Sequence, residues 1–92
     1  MSNTLLIHVD DSVGVALRDL PSGTPVALNA GTVVDVTTRE PIPFGHKVAL
    51  VPISQGQVIV KYGASIGIAS RDIAPGEHVH VHNLKSVRGA AR

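Results

Sequence analysis

An all-β domain of short strands and tight turns is predicted, and three observations predict it. Nine glycines and six prolines punctuate 92 residues, so no stretch between them is long enough for a convincing amphipathic helix. The apolar segments are short and rich in Val and Ile, residues that suit a pleated, half-buried surface. One turn pattern, aliphatic-x-x-Gly-x-x-aliphatic, recurs, with four copies read as core-anchoring turns.

The expected strands are Leu5–Val9, Pro25–Leu28, Thr32–Thr38, Lys47–Val51, Val58–Lys61 and His78–Val81. The best helical candidate, Asp11 to Leu20, is interrupted by Gly14 and by β-branched residues. The four turns are Leu20-Gly23-Val26, Ile42-Gly45-Val48, Ile53-Gly56-Ile59 and Ile73-Gly76-Val79. In each, the first aliphatic residue anchors in the core and Gly takes a backbone angle that other residues avoid. The last aliphatic residue opens the strand that leaves the turn. Pro21, Pro43 and Pro75 stiffen three of them. Their irregular spacing makes this a reused turn and not a solenoid.

Length and composition narrow the field. A chain of 92 residues makes one domain, which buries only about 60–65% of its unfolded surface. With Phe44 and Tyr62 the only aromatic side chains of the F, W, Y class, the core is aliphatic. There is no cysteine, hence no disulfide and no thiolate metal site, which fits a cytoplasmic setting. A formal net charge of +1, with no basic stripe among aromatics, gives no reason to expect nucleic acid. The run Leu5 to Ile7 is too short for a signal peptide or a membrane span. The division expected is a domain over 1–84 and a flexible tail over 85–92.

The sharpest chemical signal is His78-Val79-His80-Val81-His82. On a regular strand the three imidazoles share one face and Val79 and Val81 point to the core. Such a row of imidazoles binds a divalent metal or an anionic substrate, or is simply the solvated face of an edge strand. His46 and Lys47 follow a turn glycine and are placed to meet a carboxylate, or form an exposed loop pair. Lys61 either neutralises a substrate carboxylate or protects a strand edge. Tyr62 reads as structural, stacked over the turn at Gly63, and His8 as a surface residue. No nucleophile elbow surrounds Ser54, Ser65 or Ser70, and the glycines are too scattered for a phosphate-binding loop.

Three stretches together carry a family resemblance: Gly45-His46-Lys47-Val48-Ala49-Leu50, then Val60-Lys61-Tyr62-Gly63 with Ile66-Gly67, then Asp72 to Leu84. The chain resembles the SAF domain that opens altronate and galactarate dehydratases and forms the small subunit of sulfolactate sulfo-lyases. The resemblance implies a β-clip fold and a large dehydratase-like catalytic partner. It also implies dependence on Fe2+, or another divalent metal, in the complex with that partner. The activity implied is loss of water, or of sulfite, from a sugar acid or hydroxy acid. Because the sequence stops at Arg92, where fused enzymes continue, the expectation is a non-autonomous subunit that covers the partner's cleft. His80, His82 and Asn83 occupy positions of the family motif. His80 and His82 are thus the catalytic and metal-binding candidates, and His46, Lys47, Lys61 and Asn83 the substrate-binding ones. His78 occupies a more permissive place. SAF domains also serve as non-catalytic carbohydrate- or protein-binding modules, which do not share the histidine strand together with Gly-His-Lys and Lys-Tyr-Gly. Exposed strand edges leave self-association open.

Overall fold

The computed structural model describes residues 2–6, 8, 10–29 and 33–86. The fold is all-β. Its strands are β1 (Thr4–Leu5), β2 (Val13–Ala16), β3 (Pro25–Ala27), β4 (Val33–Thr37), β5 (Lys47–Ala49), β6 (Val58–Lys61), β7 (Ala64–Ala69), β8 (His78–Val79) and β9 (Leu84–Lys85). They form one sheet in the order β1-β2-β5-β8, a β3-β4 pair, and a sheet in the order β6-β7-β9, with antiparallel pairing throughout. These small sheets fold over one another, as the β-clip expectation requires. Among the described residues no helix is long and apolar enough to cross a membrane.

The four repeated turns organise this arrangement. Gly23, Gly45, Gly56 and Gly76 all have positive φ, between 81 and 92°, a region closed to most side chains. Each glycine N–H is fixed to a neighbouring segment, donating to the carbonyl of Thr38, Ala16, Ala69 and Ala49 respectively. The aliphatic residues that open the turns pair with one another. Leu20 meets Ile42 and Ile53 meets Ile73 in isolated antiparallel bridges, and each pair exchanges both backbone hydrogen bonds at 2.7–2.9 Å.

The turns sort into two cores. Leu20, Val26, Ile42 and Val48, from the first two turns, lie in one cluster with Ala16, Leu28, Val36 and Leu50. Ile53, Ile59, Ile73 and Val79, from the last two, lie in the other with Val13, Ala49 and Ala69. Val48 and Ala49 are neighbours on β5 yet belong to different cores, because successive side chains on a strand point to opposite faces. The β1-β2-β5-β8 sheet thus serves both cores, and its β5–β8 end carries the histidines.

Four sequence expectations change. The segment around Gly14, too interrupted to be expected as a helix and not foreseen as a strand, is the internal strand β2, paired on both sides. The stretch Ala64–Ala69, not foreseen as a strand, is β7. Lys85, placed in the tail, pairs with Ile68 in β9, while residues 87–92 of that tail lie outside the described residues. The expected Leu5–Val9 strand is shorter, because β1 ends at Leu5 and neither Leu6 nor His8 is in a strand, while Ile7 and Val9 lie outside the described residues.

Candidate functional site

The site follows from the pairing of β5 with β8. Val48 lies opposite His78 and Lys47 opposite Val79. Continued by one residue, this antiparallel register sets His46 across from His80, and directly opposed side chains project from the same face. Their rings stack accordingly, with centroids 4.2 Å apart and an interplanar angle of 24°. His78, two residues from His80, completes the group. Its ring lies 5.6 Å from that of His80 at 10° and 5.0 Å from that of His46 at 27°. His46 Nδ1 and His78 Nε2 are 2.8 Å apart, a hydrogen bond in which one nitrogen carries the proton and the other supplies the lone pair.

The regular alternation expected across His78–Val81 ends at Val79. That residue is fully buried, but Val81, expected in the core, is 82% exposed. Asn83 causes the departure. Its Oδ1 accepts the His80 N–H at 2.9 Å and its Nδ2 donates to the His78 carbonyl at 2.8 Å. The N–H groups of Asn83 and Leu84 both donate back to the His80 carbonyl. The chain therefore turns at residues 80–83 instead of extending, and Asn83 is wholly buried beneath the turn. His82 is exposed on this turn, with its ring 5.2 Å from that of His78 and tilted by 41°. Of the candidates named from sequence, the structure thus brings His46 and His80 into contact, sets His82 at the margin and engages the Asn83 amide with backbone. The residue that sequence reasoning set aside, His78, touches all three of the other imidazoles. The signal that could have found it is the β5–β8 register, which the histidine run alone does not contain.

The surroundings disfavour positive charge on His78 and His80. The His78 imidazole is held below its usual range, first by burial and then by His46 and His82, with Glu40 pulling the other way and His80 adding to the depression. Glu40 also accepts the His78 backbone N–H at 3.1 Å. His80 is depressed by desolvation, then by His46, Lys47 and His82. Its Nδ1 is shielded from solvent and has no hydrogen-bond partner. Lys47 is lowered by burial and by the charge of Lys61, so the two sequence-predicted lysines are electrostatic neighbours. Lys61 also sits over the Tyr62 ring, its ammonium 4.7 Å from the centroid. Tyr62 and Gly63 both have positive φ, 57° and 74°, the type I′ pattern of a two-residue hairpin. His8 is exposed and its ring packs against Gly63.

Comparison with known proteins agrees with this fold. Residues 2–87 match the family described as Altronate/galactarate dehydratase SAF domain. The chain is 48% identical over 80 residues to altronate dehydratase of Escherichia coli, covering 87% of this chain and 16% of that protein. It is 43% identical over 86 residues to altronate dehydratase of Bacillus subtilis, covering 94% of this chain and 17% of that protein. The chain thus spans about a sixth of the length of these two relatives. It is 33% identical over 93 residues to the (2R)-sulfolactate sulfo-lyase subunit alpha of Chromohalobacter salexigens, covering 96% of this chain and 99% of that subunit. The chain belongs to the SAF domain family of altronate and galactarate dehydratases.

Proposed function

We propose that this chain is the small subunit of a metal-dependent lyase that removes water or sulfite from a hydroxy acid, covering the active-site cleft of a separate large subunit. The observation that carries the reading is the convergence of His46, His78 and His80 beside Lys47, whose charge acts on His80. The match to a subunit alpha over nearly its full length supports a separate chain. Val81, between His80 and His82 in the chain, and Phe44, two residues before His46, are exposed apolar side chains, which favours a surface that a partner covers.

The chemistry asked of such a site is removal of a proton from carbon and departure of hydroxide or sulfite. The ammonium groups of Lys47 and Lys61 pair with the substrate carboxylate through charge-assisted hydrogen bonds. A neutral imidazole serves as a proton acceptor in such a step. Fe2+ in the complex supplies Lewis acidity toward the leaving oxygen or sulfite, and imidazole nitrogen is a donor type that such an ion takes. Closure of the small subunit over the cleft excludes water.

The test is co-expression of this chain, tagged, with the large dehydratase-like subunit of the same genome, followed by lyase assays with ferrous iron on sugar acids and sulfolactate. Co-purification with activity that needs both chains supports the reading. Absence of a complex sinks it.

A further inference from the structure

We propose that His46, His78 and His80 form a binding site for one divalent first-row transition ion of the Zn2+ or Fe2+ class, held by this chain without any partner. The proposal deepens the lyase reading and rests on the same three histidines, but it is tested on the folded small chain alone.

Three features carry it. The first is geometric. One ring nitrogen from each of the three histidines lies within 4.8 Å of the others, and two of them, on His46 and His78, are already 2.8 Å apart. Imidazole nitrogens that share an ion at about 2.0–2.1 Å stand roughly 3–3.5 Å from each other, so the metal takes the place of the shared proton with shifts of about an ångström or two. The second is the unpartnered nitrogen. His80 Nδ1 is shielded from water with no hydrogen bond, an arrangement that needs an explanation in a folded protein. An ion drawing the three rings together would supply it, either at that nitrogen or by reorienting the ring. The third is rigidity. Two donors are tied to one another by the β5–β8 register, and the turn bearing His80 is pinned by the Asn83 amide.

The donor set also fixes the class of ion. Three imidazoles and no carboxylate suit zinc, iron, nickel or copper, whereas calcium and magnesium take oxygen ligands. Three protein ligands leave coordination positions open, as in sites that act on a substrate. Lys47 opposes a bare dication but favours an anion in an open position. Glu40, near His78, offsets part of that repulsion.

The test uses the full chain, freed of metal with a chelator. Titration with Co2+ is expected to develop a visible ligand-field spectrum saturating at one ion per chain, which Zn2+ abolishes by displacement and excess Mg2+ leaves unchanged. Loss of a direct ligand in His46→Ala or His78→Ala is expected to weaken Zn2+ binding by more than the roughly 10–100-fold that follows loss of an outer partner. His8→Ala is expected to retain it. In the wild-type chain, nitrogen NMR of the imidazoles under Zn2+ titration is expected to move the signals of His46, His78 and His80, which reads the ligands even where a variant fails to fold. No saturable binding to the folded chain, signals that move mainly at His8 or His82, or affinity unchanged in His46→Ala would overturn the proposal. A chain that binds no metal yet still forms an active complex would leave the lyase reading standing, and a chain that binds metal but no large subunit would do the reverse.

Discussion

The carboxamide of Asn83 donates to the carbonyl of His78 at 2.8 Å, so a fully buried side chain fixes the end of the strand that carries the central imidazole. Its other end accepts the His80 N–H. Replacing Asn83 by Ala removes both bonds and leaves buried backbone groups unmatched, at about 1–3 kcal/mol each in the worst case. Asn83→Ala is therefore expected to lower the urea midpoint by an amount equivalent to a few kcal/mol. It should also loosen the imidazole group, read as loss of chemical-shift dispersion among the histidine ring signals.

The bridge between Ile53 and Ile73 makes the second core dependent on both. Each is almost fully buried, and truncating such a residue costs about 2–5 kcal/mol. A small domain holds only about 5–15 kcal/mol in all. Ile53→Ala is expected to shift the chain visibly toward the unfolded state in urea titration. An equally sized loss is expected for Ile42→Ala in the first core.

Two turn glycines separate conformational from steric requirements. Gly23 has φ 85° and open space where a Cβ would stand, whereas a Cβ on Gly76, with φ 92°, would collide with the Thr37 carbonyl oxygen. Gly23→Ala is expected to cost only the left-handed penalty, about 1–2 kcal/mol. Gly76→Ala is expected to cost more, because backbone must also move. Thermal denaturation of the two variants side by side checks the order, and equal losses would contradict the steric account.

Tyr62 is the one described non-glycine residue with positive φ, in a loop position where Asn is favoured. Relief of strain of about 1 kcal/mol competes with loss of the Lys61 contact, worth about 0.5–1 kcal/mol at an exposed site. Tyr62→Asn is expected to leave the isolated chain as stable as wild type or slightly more so by thermal melt. A loss of several degrees would show that the ring supports the fold beyond that contact.

The repeated turn was legible because it is a local requirement: anchor, left-handed glycine and outgoing aliphatic residue all lie within seven positions, as in Ile73-Gly76-Val79. Strands β2 and β7 were hidden because their glycines answer to distant neighbours. A Cβ on Gly14 would meet the Thr4 side chain at 2.5 Å, and one on Gly67 would meet the Lys85 carbonyl at 2.6 Å. These glycines permit close approach between segments, which a local reading takes for strand breakers. The histidine run was read as one continuous strand because nothing in its alternation announces that Asn83 folds the chain back at His80. For the same reason His46 and His80 could be named separately from sequence, but their stacking, and the central place of His78, depend on pairing between segments more than thirty residues apart.

The central claim is that this chain completes an active site on a larger subunit. The most direct measurement is the lyase rate of the purified large subunit as this chain is added, in wild-type form and as His46→Ala plus His80→Ala, with complex formation followed in parallel. The account predicts a rate that rises saturably with the wild-type chain and stays near background with the double variant, although the variant still binds. Full activity of the large subunit alone, or equal activation by both forms, would contradict it.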